Sequence, residues 1–319
     1  MNIGMIRAAM SRAGGEVRRT PLLSSPAIDA VAGRRVLVKA ECLQWTGSFK
    51  FRGGWAAVSA LPPGVREVIA YSSGNHAQGV ARAAALHGIT AVIVMPEDAP
   101  RAKIDGTRAL GAEVVLYRRE SEDRDAIGAA IAAERGLVLI RPFDDPEVIA
   151  GQGTCGIEIA EQAAEAGVTV ADVLVCCGGG GLSAGVALAL EAEAPGLRVR
   201  TAEPEGFDDM ARSLAAGRRL RNARLSGTVC DAIMTPEPGA LTFPVLHRLA
   251  GPGLAVSDDE ALAAMAAAAR HLKLVLEPGG AVALAAAMFR REAIRGEAVV
   301  CVASGGNVDA AMLARALAA

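Results

Sequence analysis

The chain has 319 residues, 52% of them apolar and 21% charged, which excludes a disordered chain and is ample for one large or two ordinary domains. A net charge of -2 and an aromatic content of 3% provide neither the basic surface nor the stacking platforms of a nucleic-acid binder, and no attraction to an anionic membrane.

The N-terminal segment MNIGMIRAAMSRAGGE lacks the apolar core of a signal peptide. Arg18-Arg19 resembles a twin-arginine export signal, but Pro26 and Asp29 interrupt the stretch behind it, so a cytoplasmic location is expected. The cysteines at 42, 155, 176, 177, 230 and 301 form no CxxC pair and have no histidine cluster beside them. They read as small buried residues in a reducing compartment rather than as a zinc site.

The first predicted strand is Arg35–Lys39 (RVLVK). Behind it lies TGSFKFRGG, with Lys50 between Phe49 and Phe51. Only four lysines occur, against 29 arginines, and a lysine among apolar groups loses solvation and is pushed toward neutrality. That suits a Schiff-base or general-base lysine; the plain alternative is a lysine at a helix start whose head reaches water. A strand over Val68–Tyr71 then runs into SSGNHAQG and a helix over Asn75–His87. Ser72, Ser73, Gly74, Asn75 and His76 combine a cap with exposed amides, which suits either an ordinary helix start or a carboxylate site.

Strands over Ala91–Met95 and Glu113–Tyr117, a helix over Asp123–Arg135, a strand over Leu137–Ile140 and a helix over Thr154–Ala166 continue the alternation. The stretch from Val173 to Leu190 carries no charge and approaches the length of a membrane span, but Gly178, Gly179, Gly180 and Gly181 interrupt it. It reads as the strand Val173–Cys176, a glycine loop and a helix over Ser183–Ala194. Amides in such a loop, with a helix start behind, form an anion cradle suited to phosphate. The same loop satisfies GxGxxA through Gly179, Gly181 and Ala184, with Glu203 beyond the next strand, Arg198–Ala202. That leaves a dinucleotide-binding oxidoreductase as a rival reading. The run Glu203 to Asp209 holds enough carboxylates for a hard cation, or is a solvated acidic loop. A helix over Asp258–Lys273, the loop Glu277-Pro278-Gly279-Gly280, a strand over Ala298–Val302 and the loop Ser304–Asp309 (SGGNVD) complete the pattern.

Strand–helix alternation of this kind predicts an α/β fold with parallel sheets flanked by helices, and eight strands suggest two sheets and two domains. No internal repeat or long linker marks a boundary. In such folds ligands sit where strands end and helices begin, and four of those junctions are glycine-rich.

In order, Arg19–Leu23, TGSFKFRGG, SSGNHAQG, DPEVIAGQGT, CGGGGL, LTFP, EPGGAVA and SGGNVD resemble the fold-type II pyridoxal-5'-phosphate enzymes that include threonine and serine dehydratases and serine racemases. The resemblance spans nearly the whole chain and implies a tryptophan synthase β-like architecture. Residues 1–64 with 146–319 would form a large cofactor-binding domain and 65–145 a small one. It further implies that Lys50 is the Schiff-base lysine, that Phe49 packs on the cofactor ring, and that Asn75 bonds the ring hydroxyl. Gly178 to Gly181 and Leu182 would hold the phosphate, Ser304 would face the pyridine nitrogen, and Glu277 would complete the cofactor site. Ser72 to His76 would bind the substrate carboxylate, and Asp231 would lie on the substrate side. The expected activity is a dehydratase (ammonia-lyase) acting on a small β-hydroxy amino acid, with serine racemase and 3-hydroxyaspartate dehydratase as alternatives within the same family.

Serine at 73, where biosynthetic threonine dehydratases usually carry alanine, resembles the racemase and hydroxyaspartate subgroup; the resemblance implies a hydroxyl opposite Lys50 that would return a proton to the other face of Cα. Glu203, the Phe207 carbonyl and Asp209 match that subgroup's Mg²⁺, Mn²⁺ or Ca²⁺ site. A homodimer is the family expectation. This chain departs from the family at Cys230-Asp231-Ala232, often Ala-Asp-Gly, and at Gly54, usually alanine. A hydroxyaspartate substrate needs a cation for its second carboxylate, and Arg52 is a candidate by sequence.

Overall fold

The computed structural model describes every residue except Ser73, Pro100, Arg119 and Ala319, with the backbone alone of Ala102 and Asp125. The strands are β1 (Leu22–Leu23), β2 (Arg35–Lys39), β3 (Glu67–Tyr71), β4 (Thr90–Pro96), β5 (Glu113–Tyr117), β6 (Val138–Leu139), β7 (Ala171–Cys176), β8 (Leu197–Pro204), β9 (Leu254–Val256) and β10 (Ala298–Val302). They form one sheet in the order β1-β2-β10-β7-β8-β9 and another in the order β5-β4-β3-β6. All pairs are parallel except β1 with β2, as helical connections between strands require. The α/β expectation holds. The short strands β1 and β9 escape the sequence reading because two or three residues carry no periodicity.

The larger sheet is covered on both faces: every residue of β10 is buried, and so are four of the five in β2. The helix expected over Thr154–Ala166 runs over Pro146–Glu165. Its first turns hold Gly151 and Gly153, which weaken a helical reading, yet Asp145 caps it by accepting from the Glu147 and Val148 amides. The helix from Asp258 ends at Ala267 and continues as a π-turn over Ala268–Leu272. The uncharged stretch from Val173 is strand, loop and helix as expected, and no helix among the described residues is long and apolar enough to cross a membrane. All six cysteines are buried and unpaired.

The helix Lys50–Ser59 lies between the two sheets, packed against the helices Asn75–Leu86 and Pro146–Glu165. Gly54 meets Gly79 here backbone to backbone: a Cβ on Gly54 would sit 2.9 Å from the Gly79 carbonyl carbon and oxygen. This close approach accounts for the glycine at position 54. Gly54→Ala is expected to destabilise the fold. Overpacking against rigid backbone costs about 1–3 kcal/mol, offset by roughly 0.5–1 kcal/mol of helix propensity. A lowered urea midpoint with an unchanged slope is the expected result.

Candidate active site

The parallel register sets the C-terminal ends of β2, β10, β7 and β8 along one edge, and the motif loops leave from that edge. Backbone bonds join the Lys50 loop to the loop after β10. The Phe49 amide donates to the Ser304 carbonyl at 3.0 Å, the Gly306 amide donates to the Gly47 carbonyl at 2.9 Å, and Ser48 bridges Gly305. Side chains extend this stitching. Asn307 Nδ2 donates to the Thr46 carbonyl at 2.7 Å and to Asn75 Oδ1 at 2.8 Å, and Asn75 Nδ2 donates to Glu277 Oε1 at 2.6 Å. Four motifs that are far apart in sequence thus share one hydrogen-bond chain. Sequence reasoning gave Asn307 no role; its only signal was its place in the SGGNVD loop.

Lys50 opens its helix, and its amine donates to the Pro142 carbonyl at 2.7 Å, 5.1 Å from the centre of the Phe49 ring. Burial lowers its pKa from 10.5 to about 8, against the opposing pull of Cys176 and Glu277. Glu277 is pushed up to about 7, chiefly by burial, although Asn75 bonds its charged form. His76 is buried with Nε2 against the Ile140 carbonyl at 2.9 Å; burial and the nearby Lys50 hold its pKa down to about 3. It is therefore a neutral ring. The Ser72 hydroxyl accepts from the Gly74 amide at 3.1 Å, at the start of the helix Asn75–Leu86, whose first amides have no intrahelical acceptor. Ser73 lies outside the described residues.

The glycine loop opens the helix Gly181–Glu193, with Gly180 in the left-handed region at φ 92°. Side chains have no room here: a Cβ on Gly179 would meet the Phe143 ring at 2.3 Å, and one on Gly178 would meet the Ile233 carbonyl at 2.9 Å. Among the described residues no carbonyl accepts from the amides of Gly179, Gly180, Gly181 or Leu182. Thr242 of the LTFP motif, unassigned by sequence, braces the loop by donating to the Gly179 carbonyl at 2.6 Å. Bare amides at a helix start, in a cradle that any Cβ would fill, suit a phosphate. Lys50, Asn75, Glu277, Ser304 and this cradle line one cleft of about 340 Å³. A phosphorylated pyridine aldehyde fits such a set: amides for the phosphate, a buried amine for the aldehyde and a hydroxyl for the ring.

The family model described as pyridoxal-phosphate dependent enzyme matches residues 14–305. The chain belongs to that family. It is similar to L-threo-3-hydroxyaspartate ammonia-lyase of Pseudomonas sp, with 41% identity over 307 residues, covering 96% of this chain and 94% of the relative. It is 37% identical over 319 residues to serine racemase of Oryza sativa subsp. indica, covering 98% and 92% of the two chains. Its fold matches the crystal structure of a threonine deaminase from T.th. with a TM-score of 0.92 and 43% identity, covering 97% and 99%. The dinucleotide reading of GxGxxA falls with this. Glu203, its supposed ribose ligand, is fully buried and accepts from the Met210 and Ala211 amides.

Arg52 does not reach the cleft. It is 1% exposed, with Nε donating to Glu41 at 2.7 Å, and its two terminal nitrogens divided among Glu41, Glu158, Thr154 and the Arg18 carbonyl. Lys39 Nζ joins the same network through Glu158 at 2.6 Å. Among the described residues, the lysines and arginines that line the cleft are Lys50, Lys103 and Arg124. Lys103 Nζ stands 3.9 Å from Asp231, a largely exposed carboxylate, and both charges are felt by Glu277. Lys103 and Arg124 sit in the first turns of the helices Arg101–Ala109 and Arg124–Arg135, where the helix dipole disfavours cations.

Among the described residues no group of three or more His, Cys, Asp or Glu side chains is arranged to hold a metal ion. Glu203 and Asp209 are both buried, and burial raises the pKa of each, Asp209 to about 6. Asp209 Oδ1 accepts from Asn222 Nδ2 at 2.7 Å, while Oδ2 is buried with no hydrogen-bond partner among the described residues. Phe207 between them is buried, its amide donating to the Pro204 carbonyl.

Proposed function

We propose that the chain is an ammonia-lyase that converts a small β-hydroxy amino acid to a 2-oxo acid and ammonia. The observation that carries this reading is the buried, pKa-lowered amine of Lys50 in the same cleft as the glycine cradle. Pyridoxal phosphate, when bound, withdraws electrons from the substrate Cα and makes its proton acidic. Lys50 would hold its aldehyde carbon, the amides of Gly178 to Leu182 its phosphate, Phe49 and Asn75 its ring, and Ser304 its ring nitrogen. A serine hydroxyl does not keep that nitrogen protonated as an aspartate would, which favours β-elimination over reactions needing a strong electron sink.

The remaining steps belong to side chains of this protein. The Ser72–His76 segment holds the substrate carboxylate on the helix-start amides, with the His76 ring tied to Ile140 and so contributing through its backbone. The Lys50 amine, with its pKa lowered to about 8, has a neutral fraction near neutral pH that would serve as the base for the Cα proton. The Cα proton and the β-hydroxyl would leave together as one water, and the resulting enamine, once free, would take up water to give the 2-oxo acid and ammonia. The test is the absorption spectrum of the purified protein. A band near about 410–420 nm, abolished by borohydride and missing in Lys50→Ala, is expected for a cofactor bound through lysine. A protein that takes up no pyridoxal phosphate overturns the reading.

A second reading, 3-hydroxyaspartate as substrate, is favoured by Lys103 and Arg124. Two cations held against their helix dipoles at the cleft suit a second carboxylate. Lys103→Met or Arg124→Met should lower kcat/KM for L-threo-3-hydroxyaspartate by about 10- to 100-fold, the loss of a charge-assisted bond. Serine turnover should change far less; an equal fall for both substrates counts against the role. Serine racemisation through Ser73 is the third member of this set of activities.

The proposal includes a division into residues 1–64 with 146–319 and residues 65–145, supported by the separation of the two sheets. It also includes a cytoplasmic homodimer and a Mg²⁺, Mn²⁺ or Ca²⁺ site at Glu203, Phe207 and Asp209. The buried, unpartnered Asp209 oxygen supports the metal site.

A further inference from the structure

We propose that Asn307 is a positioning residue for Asn75, turning its side-chain amide so that the nitrogen rather than the oxygen faces the ring hydroxyl of the bound cofactor. The inference rests on the cofactor reading above and adds to it a residue that does not itself line the cleft.

The two ends of an asparagine amide are nearly alike in shape and opposite in polarity, so its partners decide which end points where. Here the decision is made at Thr46. A backbone carbonyl only accepts, so the atom that Asn307 sets against the Thr46 carbonyl, at 2.7 Å, is Nδ2. The second proton of that nitrogen goes to Asn75 at 2.8 Å, and the atom receiving it is therefore Oδ1. This turns the Asn75 nitrogen to the other side, where one of its protons goes to Glu277 Oε1 at 2.6 Å. Its second proton meets no other acceptor among the described residues, and Asn75 lines the cleft.

Glu277 does not fix this polarity by itself. Burial pushes its carboxyl up to about 7, so near neutral pH it exists both as a carboxylate, which accepts, and as an acid, which can donate to an oxygen. The backbone is shaped to hold the Asn307 end. Thr46 lies in the left-handed region at φ 61°, a costly conformation for a residue with a branched side chain. Gly47 follows at φ 73°, and a Cβ there would stand 2.4 Å from Asn307 Oδ1. The ring hydroxyl of pyridoxal phosphate neighbours the aldehyde that Lys50 would hold, and its proton is drawn to the lysine nitrogen. Its oxygen then needs a donor. Asn75 in the fixed orientation presents one, whereas a reversed amide would present an oxygen.

The experiment is titration of each apoenzyme with pyridoxal phosphate, read as Kd and as the position of the bound cofactor's absorption band, with a thermal melt alongside. Asn307→Ala frees the Asn75 amide and should weaken binding by about two- to tenfold, the worth of one neutral hydrogen bond. Asn307→Asp keeps the shape, but its carboxylate only accepts, so Asn75 must turn its nitrogen back toward it. This variant should bind the cofactor more weakly than Asn307→Ala and displace the band in the same direction as Asn75→Ala. The double variant Asn307→Asp/Asn75→Ala should bind no more weakly than Asn75→Ala alone, whereas a charge acting directly on the cofactor would still act there. Wild-type affinity in Asn307→Asp, a loss that persists in full in the double variant, or a lowered melt with unchanged Kd and band would each overturn the proposal. Failure of the wild-type protein to take up the cofactor is a different result, and overturns the reading beneath it.

Discussion

Lys50→Ala should lower kcat/KM for every substrate the enzyme turns over by at least about 10²–10⁴-fold, the usual contribution of a positioned proton-transfer group. The loss is expected in kcat, because the residue acts on the Cα proton rather than on the substrate carboxylate. The wild-type apoenzyme provides a companion measurement. Only the neutral amine attacks an aldehyde, and burial lowers the Lys50 pKa from 10.5 to about 8. Its rate of cofactor capture should rise with pH and level off just above pH 8; an exposed lysine would keep rising toward 10.5. The linked stability has a definite sign. The folded state binds the Lys50 proton less tightly than the unfolded chain, so this contribution is fully present above pH 10.5 and is lost as pH falls through about 8. A capture rate that still climbs at pH 10 would show that Lys50 is solvated.

Arg52→Ala is the substitution with the largest expected effect on stability. It removes the cation that satisfies Glu41 and Glu158 and leaves both carboxylates buried, beside Lys39 alone. Glu41 is held below its ordinary pKa although burial, the largest influence on it, acts the other way; the Arg52 guanidinium is the main cause. Breaking a buried pair in this way costs about 3–5 kcal/mol, a large part of the roughly 5–15 kcal/mol of a typical domain. Arg52→Lys should recover little, since one ammonium cannot serve acceptors on both Glu41 and Glu158 together with Thr154. Chemical denaturation checks both variants, and a loss under about 1 kcal/mol in Arg52→Ala would mean that water enters the network. The wild-type network contributes stability at neutral pH that falls away as pH drops below the ordinary glutamate range, because Glu41 must then take up a proton in the unfolded chain first.

Much of this protein is local in its sequence. β-Branched runs alternating with alanine-rich helical stretches specify an α/β fold, because a strand buried on both faces must be apolar throughout and must return through a helix. Four consecutive glycines after a strand mark a cradle, since each Cβ would strike a neighbour. Motif order was enough to name the family that the comparisons then showed. Other features depend on distance. Arg52 and Lys103 are both basic residues between small or apolar neighbours, and nothing local separates the first, sealed among Glu41 and Glu158, from the second, open to the cleft. Burial is a property of what packs on a residue from elsewhere in the chain. The same holds for the bonds from Thr46 through Asn307 and Asn75 to Glu277, which span more than two hundred positions and exist only because the parallel strands end at one edge. The elements, the family and the residue types available for chemistry are therefore written in the local order of the chain. Which of them meet, which charges are desolvated and how far Lys50 is displaced from its ordinary pKa come from tertiary packing, because solvation and electrostatic coupling depend on separation in space.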